Sequence, residues 1–184
     1  MVMRIAQDPY RQGQLDGLCG LYSAVNALAL LTARGKPLSL KRCQQLFACG
    51  LRFVEAYDAL GEVVRHGIKP QLWFETIRAM AADVERRQLL TLDLRRPFVR
   101  HPEVGWTQLR QAIETAVDGD AVALVQLLGA LNHYSVISSH TARRFVLHDS
   151  TGLRWLDKAT CGTSAMSCRH RIVAASIVTM RVMA

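Results

Sequence analysis

Apolar residues Leu21, Val25, Leu28 and Leu31 recur at three- and four-residue steps between Leu18 and about Arg34, the period of one helical face. Gly35-Lys36-Pro37 ends that pattern, because proline cannot continue a helical ladder and turns its predecessor away from the α region. Ser39 is an N-cap candidate for a second helix, Leu40 to about Cys49. A third is predicted from about Phe53 to Arg65, stopped by Gly67, and Pro70 opens a fourth over Gln71 to Arg86. Leu89 to Leu94 has the character of a short strand, and the proline-bearing stretch Arg95 to Gly105 that of a loop. Thr107 is expected to cap a helix reaching about Val117, ahead of the turn Asp118-Gly119-Asp120.

Beyond that turn the period changes. Ala121 to Leu128 is an unbroken apolar run of strand length, as a central strand covered on both faces requires. His133 to Ser139 and Arg144 to His148 form a predicted hairpin around Ser139-His140-Thr141-Ala142. Leu153 to Leu156 and the β-branched run Ile172 to Val182 complete the pattern. Helices first and antiparallel strands later predict an α+β fold. The reading is of one domain over residues 1–184, with a helical half of about 1–118 and a sheet half of about 119–184.

Composition narrows the classes. Half the residues are hydrophobic and 21% charged, so 184 residues can bury a core without metal or disulfide staples. The longest apolar stretch, Gly20 to Leu31, is interrupted by Tyr22, Ser23 and Asn26 and falls short of the roughly 20 residues that span a bilayer. Met1 to Asp8 lacks a secretory signal's layout, which predicts a chain that starts in the cytosol, from where a dedicated secretion system can still export it. Abundant Arg and Ala fit a GC-rich bacterial genome. The formal net charge is +8, but the basic residues are scattered as Arg86-Arg87, Arg95-Arg96, Arg143-Arg144 and Arg169 to Arg171, and no basic run interleaves with aromatics. That argues for a solvated surface and against a nucleic-acid partner. Cys19, Cys43, Cys49, Cys161 and Cys168 are an odd set, expected as free thiols in a reducing compartment.

The chemistry concentrates in three places. In Gln14-Leu15-Asp16-Gly17-Leu18-Cys19-Gly20 a cysteine stands where a small-residue turn becomes a helix, and a helix N-terminus favours the thiolate over the thiol. Downstream come Asn132-His133-Tyr134-Ser135-Val136-Ile137 and Val146-Leu147-His148-Asp149-Ser150. If the two strands pair through a short loop, the start of one and the end of the next are neighbours. That sets Asp149 beside His133, and docking the Cys19 helix brings the thiol to the same ring. The roles then follow: Cys19 as nucleophile, His133 as base, Asp149 as orienter, and Gln14 with the Cys19 N–H as oxyanion donors. Each residue alone has a structural alternative, since a buried cysteine, a half-buried histidine or an aspartate in a turn is common. Their joint order is what points to catalysis.

Gln-(four residues)-Cys-Gly at a helix start, then His-Tyr-Ser-Val-Ile, then Val-Leu-His-Asp-Ser, resembles the papain-like superfamily of cysteine peptidases. Among compact members it is similar to Josephin-type deubiquitinases and to the leader peptidases of bacteriocin exporters. The resemblance implies a papain-like fold and cleavage of a peptide or isopeptide bond through a thioester. Its substrate would be a protein or peptide, such as a ubiquitin-like protein or a precursor. It implies no metal and no organic cofactor, and it carries over Cys19, His133, Asp149 and Gln14 in the roles given above. Gln12, seven residues before the cysteine, is a second glutamine for the oxyanion role. Acyl transfer or deamidation uses the same residues, and an idle module that only binds a partner would retain the same scaffold. Trp106 and Tyr134 are candidates to flank a groove, with Tyr134 expected to point away from the site if His133 points into it. Cys161, Cys168 and His170, or Cys43 and Cys49, lack zinc-ligand spacing.

Overall fold

Helix α1 (Cys19–Thr32) is buried on all sides. Leu21, Ala24, Ala27 and Leu28 are fully shielded, and even its polar residues are covered and bonded. Ser23 Oγ donates to the Gly20 carbonyl at 2.7 Å and Thr32 Oγ1 to that of Leu28 at 2.9 Å. The fully buried Asn26 clasps the backbone of Tyr10, accepting its N–H at 2.8 Å and donating to its carbonyl at 3.1 Å. A helix apolar almost all round belongs in an interior, and α1 lies between the sheet and helices α2 (Leu40–Glu55) and α4 (Pro70–Gln88). The computed structural model describes residues 8–13 and 16–183, so Gln14 and nearly all of the Met1–Asp8 segment lie outside the described residues.

The described residues form an α+β protein with five α-helices and one largely antiparallel sheet. Strand order along the sheet is β1 (Leu92–Arg95), β8 (Val178–Val182), β2 (Val122–Gly129), β3 (His133–His140), β4 (Arg144–Leu147), β5 (Trp155–Asp157). Strand β7 (His170–Ile172) pairs with the C-terminal end of β2 and runs parallel to β6 (Cys161–Thr163). Alternate residues of β2 serve two cores. Val122 and Leu124 face α1, α2 and α4, while Ala123, Val125 and Leu127 face Leu109 and Ile113 of α5 (Trp106–Asp118). A strand covered on both sides needs no polar alternation, which is why Ala121 to Leu128 reads as one apolar run. No helix among the described residues is long and apolar enough to cross a membrane.

Several boundaries differ from the sequence reading. Helix α2 continues through Gly50 to Glu55, because Gly50 is an interior contact: a Cβ there would sit 2.9 Å from Met80 Sδ. The third helix is correspondingly short, α3 (Leu60–His66), and Phe53 belongs to α2. Helix α5 starts at Trp106 after Gly105, without a side-chain cap from Thr107. Leu89 sits in the left-handed region that ends α4, so strand β1 begins only at Leu92. The run Ile172 to Val182 is two strands, β7 and β8, split by a 3-10 turn at Ala174–Ser176 whose Ser176 Oγ accepts from Gln126 N–H.

Candidate active site

Cys19 is the first residue of α1, and the turn before it is held from three directions. Asp16 Oδ1 accepts the Leu18 N–H at 3.0 Å, and the Leu18 carbonyl accepts the Leu21 N–H at 2.9 Å. Of the N–H groups that a helix start leaves without intrahelical partners, those of Cys19 and Gly20 then meet no acceptor among the described residues. Gly17 N–H bonds the Val64 carbonyl at 2.7 Å, and a Cβ on Gly17 would lie 2.7 Å from Val63 O and Gly67 N, so only glycine lets the end of α3 press on this turn. Beneath it the buried Trp73 donates its indole N–H to the Gly20 carbonyl at 2.8 Å and packs on the Tyr134 ring at 4.2 Å. Tyr134 in turn donates its hydroxyl to the Ile68 carbonyl at 2.7 Å.

His133 opens β3, and its Nε2 lies 2.8 Å from Asp149 Oδ2. Cys19 borders the same cavity as this ring, near enough for its sulfur to help raise the His133 pKa, and with Nε2 engaged the nitrogen left for sulfur is Nδ1. Asp149 is almost wholly buried and collects four donors. Oδ2 accepts from His133 and from Ser135 Oγ at 2.6 Å, and Oδ1 from the Thr151 N–H at 2.8 Å and its hydroxyl at 2.6 Å. Strand pairing brings these groups onto one face. Near the hairpin loop Ser139 and His140 oppose Val146 and Phe145, but past a bulge Ile137 opposes Leu147 and the His148 N–H bonds the Val136 carbonyl. Asp149 therefore falls level with Ser135, two residues from His133. Without the extra residue in β3 the pairing would slip by one and aim Asp149 at the other face.

Burial alone would lower the His133 pKa, but hydrogen bonds to Asp149 and Cys19 and their charges outweigh it and raise it from 6.5 to about 9. Burial would raise that of Asp149, yet the His133 bond and charge, with Ser135 and Thr151, hold it well below the usual 3.8. Stability drawn from the imidazolium is thus complete below pH 6.5 and lost as pH rises through about 9. That drawn from the carboxylate is present above pH 3.8 and lost as acid passes its depressed folded value. Because both oxygens of Asp149 accept from donors, Asp149→Asn is not a conservative change: its NH₂ must face either His133 and Ser135 or Thr151. We expect it to lower stability by about 1–3 kcal/mol in urea titration, the cost of buried donors left unpaired.

A cavity of about 680 Å³ opens on Cys19 and His133, with Gln12, Asp16, Arg65, His66, Gln126 and Asn132 in its wall. Gln14 lies outside the described residues. Gln12 reaches the cavity but spends its amide donor on Asp16, at 2.6 Å to the carbonyl and 2.9 Å to Oδ1. Tyr134 does not point away from the site as its alternation with His133 suggested. Its ring packs on Trp73 beneath the Cys19 turn, in the same core cluster as Cys19, and borders the cavity. Trp106 packs edge-on to Phe145 in the α5 core, away from this cavity. His140 and His148 belong to a groove of about 780 Å³ that adjoins the C-terminal end of α1 and contains no thiol. Cys161 is buried, with its thiol pushed up to about 12 by that burial and by the charges of Cys168 and Asp157. Among the described residues no group of three or more His, Cys, Asp or Glu side chains is placed to hold a metal. The sequence reading missed Ser135, Thr151, Arg65 and His66. Ser135 was findable, since it is two residues from His133 on the same strand face.

No protein-family model, curated protein or solved structure matches this chain.

Proposed function

We propose that this chain is a papain-like cysteine peptidase that cleaves a peptide or isopeptide bond. One observation carries the reading: a buried imidazole bonded to a fully enclosed carboxylate shares a cavity with a thiol at the head of a helix. In this reading His133 Nδ1 takes the Cys19 proton, and the thiolate attacks the carbonyl carbon of the scissile bond. The oxygen takes the negative charge beside the Cys19 and Gly20 N–H groups, donors that meet no acceptor among the described residues. His133 then passes its proton to the leaving nitrogen as the C–N bond breaks, and a thioester remains. Water gives a proton back to His133 while its oxygen attacks the thioester, releasing the acid and the thiolate. Asp149 keeps the ring oriented and balances the imidazolium throughout.

The test is labelling by electrophile-tagged peptides, ubiquitin-like C-terminal probes included, read by intact mass. One adduct per chain is expected, absent in Cys19→Ala. The reacting probe then supplies a scissile amide substrate, whose turnover is expected to fall above pH about 9 as His133 loses its proton. Alkylation by iodoacetamide needs no proton donor and will not fall there. No Cys19-dependent adduct with any probe would overturn the proposal.

A further inference from the structure

The charged groups at the mouth of the Cys19 cavity are unequally partnered. Asp16 already receives the Leu18 N–H and the Gln12 amide. His66 faces Glu62 at 4.0 Å. Arg65, exposed on the last turn of α3, meets only the Gly61 carbonyl of its own helix through Nε at 3.0 Å and has no carboxylate partner among the described residues. Elsewhere Arg34, Arg42, Arg78, Arg86, Arg87 and Arg181 each meet a carboxylate, while Arg143, Arg144 and Arg154, which also meet none among the described residues, do not line this cavity. The exposed Arg11 lies over Gly152, where an added Cβ would be 2.1 Å from its Nη1, next in sequence to the cavity residue Thr151. Arg11 likewise has no carboxylate partner among the described residues. Arg65 thus lines the cavity that holds Cys19 and Arg11 lies beside its Thr151 edge, neither with a carboxylate partner among the described residues.

The wall offers little to an apolar side chain. Its large apolar-bodied members, Ile68 and Tyr134, are 3% and 4% exposed and committed to the core. We infer that the substrate is an acidic polypeptide segment, with an Asp or Glu side chain close to the scissile bond and its carboxylate held by Arg65. This rests on the peptidase reading. A guanidinium offers a carboxylate parallel donors, and a surface at formal charge +8 favours encounter with acidic chains.

Matched electrophile peptides with Glu, Gln or Lys flanking the reactive group test this in competition. Glu is expected over Gln by about fivefold at low ionic strength, the scale of an exposed ion pair, and the margin should shrink with added salt. Arg65→Glu is expected to reverse the order toward Lys. Arg143→Glu makes the same charge change on the exposed turn at the far end of β3 and should keep the wild-type order. Fluorescence anisotropy of the same peptides without the electrophile, on Cys19→Ala, reads the preference without chemistry. An inert thiol would therefore sink the peptidase reading and leave this one decidable. Equal behaviour of the Glu, Gln and Lys peptides in both measurements, or a preference that survives Arg65→Glu, would overturn it.

Discussion

His133→Ala is expected to slow amide-bond cleavage by about 10²–10⁴-fold, the range associated with a positioned general acid and base. The loss should exceed any effect on folding. Asp149 would still accept from Ser135 and from both Thr151 donors, so its carboxylate would not be stranded without hydrogen bonds. Two readouts separate catalysis from damage. The urea midpoint of the variant should stay near that of Asp149→Asn or above it, and iodoacetamide alkylation of Cys19 at acidic pH should become that of an unassisted thiol. A variant that keeps wild-type turnover would remove the ring from the reaction altogether.

Trp73→Ala is expected to have the largest effect on stability, about 3–5 kcal/mol, as for other aromatic side chains deleted from a packed interior. The indole is fully buried, packs on Tyr134 and ties α4 to the Gly20 carbonyl one residue past the nucleophile. Its removal opens a cavity under the Cys19 turn and leaves Ser23 Oγ as the side-chain donor that remains to that carbonyl. Trp73→Phe keeps most of the volume and gives up only the N–H bond, so it should cost far less, about 1 kcal/mol for the bond itself. Urea titrations of both variants check this. Equal losses for Ala and Phe would mean that the hydrogen bond, and not packing, holds the turn.

The site was legible because its three central residues lie at element ends. Cys19 heads the first apolar-periodic helix, His133 opens a strand, and Asp149 follows the next strand. Local pattern reveals such positions, since a helix start and a hairpin each leave a mark in residue type and period. The less legible parts depend on distant neighbours. Gly50 reads locally as a helix stop, and it continues the helix because Met80 packs where its side chain would be. Ile172 to Val182 reads as one strand, but β2 takes its two halves at different points along its length, so the chain must turn between them.

The sequence by itself determined the order of elements from α1 to β5, the α+β class and the three residues that could meet at one site. These follow from hydrophobic period and from the fact that a short hairpin returns to its own start. Only the tertiary structure decided which face Asp149 occupies. A single bulge in β3 sets that, and register along a strand depends on pairing and not on residue type. The same holds for Arg65 at the cavity mouth, which meets no carboxylate among the described residues. Nothing in its neighbours along the chain distinguishes it from Arg34 or Arg86. It is set apart by α3 docking against Gly17, which puts Arg65 on the wall of the cavity that holds Cys19 with no carboxylate of the described residues to meet it.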